Sequence, residues 1–134
     1  MAETKRKGQI AELAVMAEAV ARGYRVSIPY GEDAPYDLVV ERNGQLERVQ
    51  CKYVESDGRV IIVRCLCTNN WVDTRYTPAT VDWIATYDHV SKRCFFVPSS
   101  MLGDDGRNRI HLRLVPSANN QTARVWWAQD FTAW

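Results

Sequence analysis

Tyr36-Asp37-Leu38-Val39-Val40-Glu41, then Asn43-Gly44, then Leu46-Glu47-Arg48-Val49-Gln50-Cys51-Lys52-Tyr53 is the stretch that decides the fold. Both outer segments read as strands. Asn-Gly between them is the strongest short hairpin signal, because a type I′ turn needs positive φ at both central positions. With Asn43 and Gly44 as the loop, Arg42 pairs with Gln45, and counting back sets Asp37 opposite Gln50. Directly opposed side chains share a face, and Lys52 returns to that face two residues later. Asp37, Gln50 and Lys52 are therefore expected as one cluster, which a one-residue slip would break. An acid, a side-chain carbonyl and an ammonium gathered in this way can hold a divalent cation and activate a water, chemistry suited to a phosphodiester.

Bulk properties set the frame. The 134 residues make one domain's worth of chain, 46% hydrophobic and 25% charged, so a single folded domain over 1–134 is expected. A net charge of +1 does not advertise a polyanion partner, although local clustering can still make a basic face. No stretch approaches the apolar length that spans a bilayer, and Met1 to Lys7 leads into a helix rather than a signal core, so the cytoplasm is the expected address and no membrane is involved. The four cysteines have two readings. Cys65-Leu66-Cys67 resembles half a metal site, but no second pair or histidine stands at zinc-finger spacing, and reduced thiols in or beside strands are the simpler reading.

Upstream of the hairpin, Ile10, Leu13, Ala14, Ala17, Val20 and Ala21 predict the buried stripe of a helix over 4–22, with Thr4 as N-cap and Gly23 ending it. Tyr24 to Ile28 reads as a first strand, followed by a polar loop through Pro35. Downstream, Arg59–Cys65 reads as an apolar strand and Thr68–Pro78, which has no period, as a loop. Val81–Tyr87 and Cys94–Val97 form a second hairpin, and Pro98 opens a short helix. Arg109–Leu114 alternates cleanly between Ile110, Leu112 and Leu114 on one face and Arg109, His111 and Arg113 on the other. Asn119–Trp134 is ambiguous, since Val125 to Ala128 fits a strand or a short helix. The outcome is an α/β domain with a mixed sheet. There is no glycine-rich phosphate loop and no nucleophilic Ser or Cys with a partner His, which argues against a small-molecule enzyme.

Glu12 lies off the predicted stripe, with Gly8, Met16 and Ala19 at helical spacing, so another element can approach it closely. Taken singly it reads as a solvated glutamate, as Lys52 taken singly reads as an edge lysine guarding against aggregation. Together, the order of helix-borne Glu, strand, Asp on a hairpin and x-x-Lys on the partner strand resembles the PD-(D/E)XK nuclease superfamily. Gly8-Gln9-Ile10-Ala11-Glu12, Gly23 to Pro29, Tyr36-Asp37-Leu38-Val39 and Val49-Gln50-Cys51-Lys52 resemble its group I intron-encoded homing endonuclease branch, with archaeal Holliday-junction resolvases related in plan. The similarity continues through Val81 to Tyr87, Phe95 to Pro98 and Leu112 to Leu114. Tyr36 departs from the loosely kept proline before the Asp. Gln50 departs from the usual acid, a departure that the intron-encoded branch shares.

The resemblance implies a restriction-endonuclease-like fold, a mixed central sheet with an N-terminal helix packed on it. It implies a Mg²⁺-dependent (or Mn²⁺-dependent) endodeoxyribonuclease acting on double-stranded DNA at a specific site and encoded by a mobile element. Asp37 would be the central metal ligand, Glu12 a helix-borne ligand or water orienter, Gln50 a side-chain oxygen ligand and Cys51 a backbone-carbonyl ligand. Lys52 would hold the attacking water or offset charge on the phosphorane. A resolvase-like, structure-specific nuclease and a catalytically silent DNA-binding module are the alternatives. Arg59, Arg64, Asn69, Asn70, Arg75, Lys92 and Arg93 are the candidate DNA contacts. Trp126, Trp127, Phe131 and Trp134 either close the core or form an oligomer contact, since a small chain reading a long or symmetric site works as a homodimer or homotetramer.

Overall fold

The computed structural model describes residues 2–117, 119 and 125–134. Helix α1 (Ala2–Ala21) is followed by β1 (Arg25–Ser27), β2 (Leu38–Arg42), β3 (Gln45–Val54), β4 (Val60–Arg64), β5 (Leu66–Asn69) and β6 (Val72–Arg75). Then come β7 (Trp83–Asp88), β8 (Arg93–Pro98), a 3₁₀ turn at Ser99–Met101, β9 (Arg109–Arg113), β10 (Trp126–Trp127) and a second 3₁₀ turn at Ala128–Phe131. The segment left ambiguous by its sequence thus uses both conformations in succession. Of that segment, residues 120–124 lie outside the described ones.

The main sheet has the order β1-β2-β3-β7-β8, with β3 and β7 parallel and the other neighbours antiparallel. A smaller sheet, β10-β9-β4, covers one face and α1 covers the other. Alternation along the strands divides the core accordingly. Leu38, Val40, Val49, Cys51, Ala85 and Phe96 meet Val15 and Ala19 of the helix. Ile84, Phe95 and Val97 meet Ile61, Val63, Ile110 and Leu112 of the small sheet. The β2–β3 turn has Asn43 at φ 51° and Gly44 at φ 75°, and Arg42 pairs with Gln45, the register read from the sequence. Register between β3 and β7 is fixed at its start by Arg48. Its backbone N–H (2.7 Å) and guanidinium (3.1 Å) both donate to Asp82, and Asp82 N–H donates to Arg48 O at 2.9 Å.

Four expectations are corrected. The buried stripe of α1 is Ala11, Val15 and Ala19, while Leu13 and Val20 are 62% and 64% exposed. Small side chains let the helix sit close to the sheet, which is why the larger ones are turned outward. Thr4 lies inside the helix, which begins at Ala2, so it is not the N-cap. Thr68–Pro78 is mostly not a loop, because β5 and β6 form an antiparallel hairpin turning at Asn70 (φ 51°) and Trp71 (φ 66°). Finally, β3 is an interior strand, so Lys52 is no edge guard. The aromatic cluster divides. Trp134 stacks on Phe96 at 4.3 Å between ring centroids and Phe131 packs on the inter-sheet core, whereas Trp126 stays exposed.

One glycine is set tightly behind the β5–β6 hairpin. Gly106 has φ +74°, and a Cβ there would lie 2.7 Å from Arg75 Cβ and 2.9 Å from the Tyr76 carbonyl. Gly106→Ala is expected to destabilise the fold by about 2–4 kcal/mol through left-handed strain and overpacking together. An unchanged denaturation midpoint would contradict this.

Candidate active site

Asp37 sits one residue before β2 and is held by the backbone of β3 on both sides. Its N–H donates to Val49 O (2.9 Å), and its Oδ2 accepts from the Cys51 N–H (3.0 Å). The hairpin therefore presents this carboxylate beside Gln50-Cys51-Lys52, as the register count requires. Burial pushes the Asp37 carboxyl up, opposed by the Cys51 N–H and by the positive charge of Lys52. Glu12, on α1, is likewise pushed up by burial and then by the charge of Asp37. The thiol of Cys51 is raised chiefly by burial, with Asp37 and Glu12 adding to it. Both acids line a cleft of ≈ 160 Å³ together with Pro29 and Tyr36.

Gln50 and Lys52 complete the cluster. Gln50 Nε2 donates to the Cys51 carbonyl at 3.4 Å, and a half-turn of the amide exchanges that nitrogen for its oxygen. Lys52 Nζ donates to Leu66 O at 3.1 Å and lies 4.9 Å from the ring centroid of Tyr76. Burial lowers its pKa, with smaller and opposing influences from the Cys67 and Asp37 side (upward) and Arg64 (downward). The ammonium is therefore held in place by a carbonyl and an aromatic face, on the side of the sheet away from α1. Among the described residues no three His, Cys, Asp or Glu side chains gather as a metal cluster. The donors here are two carboxylates, an amide and a backbone carbonyl. This set of hard oxygens fits Mg²⁺ or Mn²⁺ better than a softer ion.

Two raised carboxyls have a consequence for stability. Each binds more protons folded than unfolded over the range above its ordinary value, 3.8 for Asp37 and 4.5 for Glu12. Stability of the metal-free protein therefore falls as pH rises through that range toward the raised values. Asp37→Asn keeps an oxygen for the Cys51 N–H and removes the charge. It is expected to raise the unfolding midpoint at neutral pH and to lose that advantage below the ordinary carboxyl range. Equal gains at both pH values would contradict the assignment.

The candidate DNA contacts are dispersed. Arg64 ends β4 next to Lys52, donating to Leu66 O (3.4 Å) and Thr68 Oγ1 (3.0 Å). Asn69 and Asn70 are at the exposed tip of the β5–β6 hairpin, and Arg75 donates to Asn108 Oδ1 at 3.0 Å. Arg59 precedes the other end of β4. Lys92 lies beside His89 (3.2 Å) at the β7–β8 turn, and Arg93 begins edge strand β8, where its guanidinium lies 5.3 Å from the Phe95 ring centroid. Sequence reading missed Tyr76 and the Leu66 carbonyl, whose role depends on β5 and β6 being strands. It recognised the polar face of β9 but not that β9 pairs with β4.

No curated protein matches the chain. A bacterial homing endonuclease, I-Ssp6803I, has a solved structure that matches with a TM-score of 0.70 and 28% identity, over 96% of this chain and 87% of that one. The family model described as PD-(D/E)XK endonuclease matches residues 2–134. With Glu12 and Asp37 lining one cleft and that match spanning the described fold, the chain belongs to the PD-(D/E)XK endonuclease family.

Proposed function

We propose that the protein is a divalent-metal-dependent endonuclease that hydrolyses phosphodiester bonds in double-stranded DNA at a specific site, as a homing enzyme does. The observation that carries this reading is the pair of carboxylates, Glu12 and Asp37, which line one cleft, the charge of Asp37 raising the proton affinity of Glu12, with the half-buried ammonium of Lys52, on the neighbouring strand, held at Leu66 O. Such a pair is stabilised by a cation. Asp37, Glu12, the Gln50 side-chain oxygen and the Cys51 carbonyl would hold it. When bound, such an ion lowers the pKa of a water and offsets charge on phosphoryl oxygens. Lys52, fixed by Leu66 O and Tyr76, orients the attacking water or offsets charge gathering on the phosphorane. Assembly as a homodimer or homotetramer belongs to the same reading. Among the described residues no helix is long and apolar enough to cross a membrane.

The substrate is tested by offering a random-sequence duplex library and four-way junctions, with Mg²⁺, to the wild type, Asp37→Ala and Lys52→Ala. Cleavage of linear duplex by the wild type alone is expected. Junctions cut while duplex is ignored would make it a resolvase. Retardation of DNA in a gel without any cleavage would make it a binding module.

Gln50 leaves the site one negative charge short of the usual acid. The free protein should bind metal weakly until a DNA phosphate supplies the missing charge. Gln50→Glu is expected to tighten Mg²⁺ or Mn²⁺ binding by the free protein by on the order of tenfold, a modest share of a close charge pair's energy. Calorimetry showing equal or weaker affinity would contradict it.

A further inference from the structure

On the outer face of the small sheet, Arg64 of β4 stands directly opposite Arg109 of β9. Like charges in that position destabilise a sheet unless an anion lies over them. Neither arginine has a carboxylate ion-pair partner among the described residues, although Asp73 lines the same cleft, its Oδ1 accepting from Thr68 Oγ1 at 2.6 Å. Arg109 lines both that cleft, of ≈ 320 Å³, and an open groove lined also by Arg107, His111 and Trp126. The face is joined to the active site by one atom, because Leu66 O accepts from both Lys52 (3.1 Å) and Arg64 (3.4 Å).

Beside these arginines stands the β5–β6 ribbon, exposed on both faces from Thr68 to Arg75. At its tip Trp71 is 99% exposed and has φ +66°, a backbone region that bulky side chains avoid. Strain of this kind persists where a side chain must be presented. A two-stranded ribbon is an element that a DNA major groove admits, and adjacent arginines match adjacent phosphates. An acidic peptide would satisfy the arginines but would leave the ribbon and its tryptophan without a role.

We infer that the β5–β6 ribbon reads the duplex, with Asn70 and Trp71 entering the major groove while Arg64 and Arg109 hold phosphates beside the bond that the Lys52 site attacks. This rests on the duplex-endonuclease reading above. The test uses the full chain, Mg²⁺ and a random duplex library, sequencing the cut ends from the wild type, Trp71→Gly and Arg109→Gln. Glycine suits the positive φ, so the turn is kept while the side chain is lost. Trp71→Gly should lower the preference for the best site over the pool by about tenfold. Arg109→Gln should weaken binding evenly across sequences and reduce the salt slope by about one. Independently of any variant, hydrogen exchange of the wild type should show residues 66–75 protected by duplex. An unchanged consensus for a folded Trp71→Gly, or protection at the β7–β8 turn instead of the ribbon, would overturn the inference and leave the endonuclease reading standing. A wild type that neither cuts nor binds duplex would overturn both.

Discussion

Asp37→Ala is expected to lower the rate of DNA cleavage by at least about 10³-fold, because it removes the residue on which the rest of the site is organised. Asp37 is tied to β3 through Val49 O and Cys51 N–H, so its carboxylate has one position relative to Gln50 and Lys52. Binding of duplex should persist, since the carboxylate repels phosphate in the absence of metal. Metal-free Asp37→Ala has two opposed effects on stability. Repulsion of Glu12 is relieved, while the Cys51 N–H is left without its acceptor. Single-turnover rates at saturating Mg²⁺, with gel retardation alongside, measure the effect. A variant cutting within tenfold of the wild type would remove Asp37 from the chemistry.

The second large effect is expected at Lys52. Lys52→Ala should lower the single-turnover rate by on the order of 10²–10³-fold, the scale of losing one well-placed stabilising group in a site where charge develops. Lys52→Arg should not restore it. The pocket between Leu66 O and the Tyr76 ring holds a compact ammonium, and a planar guanidinium has a different shape and hydrogen-bond directions. DNA affinity should change little, which separates a chemical role from a phosphate-binding one. A loss confined to affinity, with the rate at saturation intact, would make Lys52 a DNA contact instead.

The centre of the site was legible in the sequence for a local reason. Asn43-Gly44 fixes the turn, strand period fixes the faces, and so Asp37 falls beside Gln50 and Lys52 by counting alone. The family match covers residues 2–134 and the expected mixed sheet with its N-terminal helix is present. What was not legible depends on partners distant in sequence. Helix α1 carries apolar or small residues nearly all round, so periodicity could not choose between the Leu13/Val20 face and the Ala11/Val15/Ala19 face; the close approach of the sheet chose the smaller residues. From Thr68 to Arg75 the β5–β6 ribbon is solvated on both faces, so it carries no alternation to read. The opposition of Arg64 and Arg109 arises from β4–β9 pairing, which no local signal announces.

The central claim is that the oxygens of Glu12, Asp37, Gln50 and Cys51 hold a divalent ion for hydrolysis of duplex DNA. It is tested most directly by following cleavage of the duplex library as Mg²⁺ is titrated into metal-free wild type and Asp37→Asn. A saturable rise for the wild type, abolished by EDTA, with a flat response from the folded variant, is the predicted result. Cleavage by the wild type that persists in EDTA, or an Asp37→Asn curve that overlays it, would contradict the claim.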